Sequence, residues 1–209
     1  MASMRPDIAV QGLRERKKLH TRQLLLDSGL RLFTERGYHS TTVSDISRHA
    51  GISERTFFRY FASKEQLVLA PVQQAGRTFL AEVRRRPAAE EPLRALREAG
   101  RLILLRLAPE EGSPLVTALR LVCSEPEVRA AYLSHTSVEQ RELAEVLAQR
   151  ESTAPDDLRP ALLAGMFNAT ALLATLSWAA SSPQGLQEAA DRHFRAIHSA
   201  IAGHWHDSP

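Results

Sequence analysis

Between Arg55 and Phe61 the chain runs Arg-Thr-Phe-Phe-Arg-Tyr-Phe, so four aromatic rings and two guanidinium groups fall within seven positions. The whole chain has only seven Phe, three Tyr and two Trp, so this is a local concentration. Such groups together can grip phosphate, read a guanine edge through O6 and N7, or lie against a thymine methyl. At ~100° per residue, Phe57 and Phe61 stand nearly one above the other, with Ser53 on the same side. Arg55 and Arg59 share the opposite face, flanked by Thr56 and Phe58, with Tyr60 on the border. The spacing predicts Phe57 and Phe61 as core, and Arg55, Thr56, Phe58, Arg59 and the rim of Tyr60 as a face offered to a partner. A surface arginine is ordinarily a solvated charge. On a nucleic acid, each of these two could equally hold a phosphate or a base, since many contacts go to phosphate and sugar.

The elements that must position this face are helices. Thr42 reads as the N-cap of a short helix over 43–50, with Asp45 three residues on, close to a capping box. Gly51 breaks it, and Ser53 caps the next helix, which ends near Tyr60. Two short helices joined by a glycine-containing turn fit a helix-turn-helix, whose second helix enters the DNA major groove. A helix over 14–36 precedes them, stops at Gly37, and between Arg14 and Arg22 carries Arg14, Arg16, Lys17, Lys18 and Arg22 against Glu15. Ser63-Lys64-Glu65-Gln66 opens a further helix, within which Pro71 is expected to kink or end the pattern.

Beyond the interruption at Arg84-Arg85-Arg86-Pro87, the apolar periodicity marks segments over 92–107, 114–122, 126–150, 157–180 and 183–203. Pro92, Pro114, Pro126 and Pro183 each stand where a first helical position is expected. No useful strand alternation appears, and the expected fold is all-α with about nine helices. The net charge of +3 does not by itself declare a nucleic-acid binder. A single cysteine, Cys123, rules out an internal disulfide and suits a reducing cytoplasm. The N-terminus lacks the apolar core of a signal peptide. Residues 161–180 are free of charge over a membrane-spanning length, but Asn168, Thr170, Thr175 and Ser177 favour a helix buried in a bundle or subunit interface. His193, His198, His204 and His206 lack the spacing of a helical metal site, and no nucleophile elbow, phosphate loop or zinc-protease motif is present. Neither metal nor cofactor is expected, and the chain is not read as an enzyme.

Residues 14–68 resemble the N-terminal domain of TetR-family transcriptional regulators. The resemblance rests on Gly37-Tyr38, Thr41-Thr42-Val43, Ile46, Ala50-Gly51-Ile52-Ser53, Thr56-Phe57-Phe58-Arg59-Tyr60-Phe61 and Lys64-Glu65. It implies a three-helix DNA-binding domain over 14–68 and a helical ligand-binding and dimerisation domain over 69–209. It also implies DNA contacts from Thr42 and Ser44, from Arg55, Thr56, Phe58 and Tyr60, and a phosphate held by Lys64. Phe58 departs from the family's usual Tyr and loses a hydroxyl; Phe57 departs from a usual Leu. The implied function is a cytoplasmic, homodimeric repressor bound to a palindromic DNA operator and released by a small-molecule effector. An activator or dual regulator is the alternative on the same fold. Rivals of other classes are a helical enzyme with an auxiliary DNA-binding domain and a DNA-binding architectural protein without sequence preference.

In the larger domain, Cys123, Tyr132, Phe167, Asn168 and Trp178 are candidates to line an effector pocket, although a bulky residue on an apolar helix is more often core. The stretch 119–150 is similar to the subgroup whose sensor domain is associated with acyl-CoA-like ligands; an apolar pocket with an arginine near its mouth would support that. The charge-free 161–180 helix, with Leu186, Ala189, Phe194, Ile197 and Ile201, is expected to form a four-helix interface between subunits.

Overall fold

A computed structural model describes residues 7–201 except 109, 111, 155 and 181–184, with side chains from 14 to 199. Local signals decide most helix boundaries. The described residues form nine helices: α1 (Asp7–Arg36), α2 (Val43–His49), α3 (Glu54–Tyr60), α4 (Lys64–Arg85), α5 (Pro92–Leu107), α6 (Pro114–Ser124), α7 (Pro126–Glu151), α8 (Arg159–Ala180) and α9 (Leu186–Ile201). Thr42 caps α2 through a complete capping box with Asp45, and Ser53 caps α3 by accepting from the Thr56 amide. Gly37 and Gly51 follow α1 and α2 at φ of 86° and 68°, a region only glycine enters without strain. Pro92, Pro114 and Pro126 open their helices, where a missing N–H costs nothing. The fourth such proline, Pro183, lies outside the described residues, as do His204 and His206.

Two boundaries differ from expectation. Helix α1 begins at Asp7, a full seven residues before Arg14. Helix α4 is not ended by Pro71 but runs through it to Arg85. Proline there forfeits the amide that would bond to the Leu67 carbonyl, and the helix continues on both sides. The chain divides into two compact units, the first closing at Ala70 and the second opening at Pro71.

The first unit packs Leu25, Leu32, Ile46, Phe57 and Leu67, all essentially inaccessible, between α1, α2, α3 and the start of α4. Gly29 on α1 leaves room for Leu67; a Cβ there would come within 2.7 Å of its side chain. In the second unit, Phe79, Leu96, Ile103, Leu147, Phe167 and Phe194 share one core cluster. Leu115, Leu119, Trp178, Leu186 and Ala189 form another. The loop after α4 is tied down by Arg150, which donates to the carbonyls of Arg86, Pro87 and Glu90 at 2.9, 2.6 and 2.6 Å.

The expected subunit interface on α9 is corrected here. Leu186, Ala189 and Phe194 are buried in the unit's own clusters, and Ile197 packs partly buried against them. An amphipathic stripe needs one apolar partner, and α8 and α5 of the same chain supply it. The Ile201 side chain lies outside the described residues. On α8 the buried and exposed faces separate cleanly. Ala164, Phe167, Ala174 and Trp178 face inward, while Leu162, Ala169, Leu173 and Ala180 are exposed. By length and composition α8 could also cross a membrane, and 33% of its apolar window is buried in the unit.

Candidate nucleic-acid interface and ligand cavity

The geometry of α3 follows from its two halves. Phe57 is wholly buried and Phe61 nearly so, with ring centroids 5.8 Å apart. Arg22 of α1 closes over the Phe61 ring at 5.0 Å, so the preceding basic helix clamps the inner side of α3. On the outer side Arg55, Phe58 and Arg59 are exposed, and Thr56 and Tyr60 half-buried. Phe58 meets Phe57 edge-on at 5.4 Å and leaves 54% of its surface open. Arg59 lies over the Tyr60 ring at 5.2 Å, which fixes its stem beside the face. The Thr56 hydroxyl sits 3.0 Å from the Ser53 hydroxyl, so its orientation is tied to the helix cap.

At the head of α2, Thr42 is exposed and Ser44 half-buried. The Asp45 amide donates to Thr42 Oγ1 at 3.1 Å, and the Thr42 amide donates back to Asp45 Oδ2 at 3.0 Å. The Thr42 hydroxyl and then its amide hold the Asp45 carboxyl below the usual carboxylate range. Lys64 is more constrained than the sequence suggests. Its Nζ donates to the Tyr38 carbonyl at 3.0 Å and the Thr41 carbonyl at 3.4 Å, and stands 4.0 Å from the Tyr38 ring centre. An ammonium has three donors, which leaves one for an outside acceptor. Tyr38 in turn donates its phenol to Glu65, so the α1–α2 connection is locked to the start of α4. Sequence reasoning missed this lock, and also the contact of His49 Nδ1 with Ser28 Oγ at 3.1 Å. The unit thus presents one exposed surface carrying guanidinium, hydroxyl and aromatic groups on α3, with the cap of α2 held rigid in the same unit.

The second unit contains a cavity of about 190 Å³ walled by α4, α5, α6, α7, α8 and α9. Tyr132, Phe167 and Asn168 line it; Cys123 and Trp178 do not. Trp178 is 4% exposed and packs with Leu115, Leu119 and Leu186, which themselves line the cavity and shut the indole off from it. Its ring is covered instead by the Arg120 guanidinium at 4.4 Å. Cys123 approaches the Thr175 carbonyl at 3.8 Å, and burial pushes its thiol up, away from thiolate chemistry. Phe79, Phe167 and Phe194 stack in sequence, at 4.6 Å and 13°, then 5.0 Å and 29°.

Polar groups are few and specific. Burial pushes the Tyr132 phenol up to about 12, so it remains a donor at any physiological pH. Asn168 Nδ2 is buried without a hydrogen-bond partner among the described residues. Arg97 pairs with Asp191 at 3.6 Å and Arg101 with Glu98 at 3.1 Å. Glu139 was not foreseen, although Tyr132, Glu139 and Leu143 recur at helical spacing on α7 and all reach the cavity. A buried apolar chamber with a few convergent polar groups is the form a small-molecule site takes.

Comparison with known proteins places both units. Residues 25–70 match the family model for bacterial regulatory proteins of the tetR family, and residues 90–202 match that for the MftR C-terminal domain. The chain is 37% identical over 173 residues to the HTH-type transcriptional regulator TcmR of Streptomyces glaucescens, covering 80% of this chain and 76% of that one. It is 26% identical to a putative mycofactocin biosynthesis transcriptional regulator, MftR, of Mycobacterium tuberculosis, over 89% and 93% of the two chains. Among solved structures, the TetR-family repressor FadR of Thermus thermophilus, in complex with lauroyl-CoA, is similar with a TM-score of 0.56 and 25% identity, over 86% of this chain and 94% of that one. The helix-turn-helix of the first unit, the all-helical second unit with its chamber, and these matches agree: the chain belongs to the tetR family of DNA-binding transcriptional regulators.

Proposed function

We propose that the protein is a cytoplasmic, homodimeric repressor that binds a palindromic operator through residues 14–68 and leaves it when residues 69–209 bind a small molecule. The observation that carries this reading is the division of α3: Phe57 and Phe61 buried, Arg55, Phe58 and Arg59 open. Arg55 and Arg59 contact bases or phosphates, Phe58 offers an apolar contact, and Thr42, Ser44, Thr56, Tyr60 and the remaining Lys64 donor position the unit on the backbone. Two-fold pairing suits this geometry, because two half-sites about one DNA turn apart mirror the symmetry of a dimer. The dimer surface is the exposed row Leu162, Ala169, Leu173 and Ala180 on α8, whose 7-4-7 spacing makes one continuous apolar seam.

The effector occupies the 190 Å³ cavity with an apolar body. An acyl-CoA-like effector would find the apolar wall it needs, with Arg97 and Arg101 in the lining, but both guanidinium groups already face a carboxylate. An effector can shift DNA binding only by the difference in its affinity for the two states of the protein.

The test is Arg55→Ala against a duplex recovered by selection. Affinity should fall about 5- to 150-fold per base contact, equivalent to ~1–3 kcal/mol. If Arg55 grips a phosphate instead, the loss spreads evenly over all sequences and the salt slope falls by about one. Unchanged affinity and unchanged salt slope would remove α3 from the interface.

A further inference from the structure

The charged side chains that line the cavity are Arg97, Arg101, Glu139 and Asp191, two of each sign, and they are unevenly paired. Arg101 meets Glu98, outside the lining, at 3.1 Å, and Arg97 faces Asp191 at 3.6 Å with its Nε buried and without a hydrogen-bond partner among the described residues. Glu139 is the lining acid whose ion-pair partner is a histidine rather than an arginine. Its facing groups are His135 Nε2 at 3.3 Å and Glu142 on α7, and Arg77 on α4 acting at longer range. Arg77 itself donates to Gln74 at 2.8 Å. Burial, before any neighbour, pushes the Glu139 carboxyl up, so the side chains around it serve its charge poorly.

The carboxylate also has a fixed position relative to the aromatic wall. A Cβ at Gly76 would come within 2.6 Å of Glu139 Oε1, so the carboxylate lies against the α4 backbone in a space only glycine leaves open. Phe79 stands three residues further along α4, about 4.5 Å in rise, and begins the Phe79–Phe167–Phe194 stack. Gly76, Phe79, Phe167 and Glu139 all face the same chamber. The Glu139 carboxylate therefore sits within a helical turn of a three-ring wall. Because the Phe167 faces are covered by its two neighbours, the wall offers packing surface, while the positive charge of a guest has its partner in Glu139.

We infer that the cavity takes an aromatic cation, its flat apolar body against the Phe79–Phe167–Phe194 wall and its charged nitrogen beside the Glu139 carboxylate. The inference rests on reading the cavity as the effector site and adds the ligand class. It also sets this chamber against polyanionic ligands, whose phosphates would meet the Glu139 and Asp191 carboxylates in the lining and an Arg101 already hydrogen-bonded to Glu98.

Three probes on one ring skeleton test it with the full-length protein: N-methylacridinium, acridine and acridine-9-carboxylate, titrated near neutral pH, where acridine itself is uncharged. The cation should bind roughly tenfold or more tightly than acridine, with the carboxylate weakest. In Glu139→Gln the ratio of cation to neutral affinity should fall toward one. The ratio is the readout, so any general loosening of the cavity cancels. Equal affinities in the wild-type chain, a preference that survives Glu139→Gln, or tighter binding of lauroyl-CoA than of N-methylacridinium would each overturn the inference. Gly100→Leu separates this failure from that of the underlying reading. Gly100 lies against Phe167, its added Cβ 3.7 Å from the ring, so a leucine intrudes on the chamber and should weaken all three acridines. If acridine binds that variant unchanged, the ring is not in the cavity, and the effector-site reading falls with the inference.

Discussion

Thr42→Ala is the sharpest probe of how the DNA-facing unit is held together. The Thr42 hydroxyl accepts from the Asp45 amide at 3.1 Å and donates to the Asp45 carboxylate. Alanine removes both bonds, but the Thr42 amide keeps its own bond to Asp45 Oδ2 at 3.0 Å. One helix-end amide is thus uncovered, at an exposed position where water can take over. The expected cost is therefore about 1 kcal/mol, within the 0.5–2 kcal/mol range of lost N-caps. Native-state hydrogen exchange resolves it locally. The α2 amides that report the helix, such as those of Ile46 and Ala50, should lose about that much protection, while amides of α8 in the other unit stay unchanged. Thr42→Ser restores the hydroxyl and should restore protection. If Thr42→Ala leaves the α2 amides as protected as before, or Thr42→Ser costs as much as Thr42→Ala, the capping account of α2 is wrong.

Other outcomes follow from the same geometry. Phe57→Ala empties a wholly buried ring site and should destabilise the first unit by about 3–5 kcal/mol, abolishing operator binding while N-methylacridinium binding by the second unit persists. Arg150→Ala removes the donor to three backbone carbonyls and should cost about 3 kcal/mol in urea unfolding of the second unit; Arg150→Lys keeps the charge but not the forked donors and should recover only part of that loss, whereas full recovery would mean that charge alone matters. For Glu139, whose folded value is raised, the folded chain holds more protons than the unfolded one between the ordinary and raised values. Stability should therefore decline as pH rises through that window and stay low above it, and Glu139→Gln should flatten the profile. Asp45, whose value is lowered, works in the opposite sense: its contribution is present above the ordinary carboxylate value and is lost as pH falls through the lowered one. Asp45→Asn should remove that acid-side slope, and a slope that survives the substitution would place its origin elsewhere.

Much of this was legible in the sequence because the decisive signals are local. A cap residue, a glycine beyond a helix end and a proline at a first position act within one turn, so Thr42, Ser53, Gly51 and Pro92 mark their boundaries without tertiary help. The two faces of α3 were legible for the same reason, since Phe57 and Phe61 on one side and Arg55 and Arg59 on the other follow from helical spacing alone. What periodicity cannot say is which neighbour covers an apolar stripe. Periodicity alone offers the α9 stripe of Leu186, Ala189 and Phe194 to a partner subunit, yet it packs within its own chain. Nor does spacing fix height along a bundle. Phe167 and Trp178 lie on one face of α8, but about 16.5 Å of helix separates them, and only Phe167 reaches the chamber. Lys64 shows a third limit: its charge was visible, while the two carbonyls that hold it come from residues 23 and 26 positions away.

The most direct measurement is selection of duplexes from a random pool by the full-length protein, followed by affinities for the enriched and random duplexes at one salt concentration. The account predicts an inverted repeat with half-sites about one helical turn apart, bound on the order of 10³-fold or more tightly than random sequence. No enrichment, or equal affinity for both duplexes, would contradict the claim that this face of α3 reads an operator.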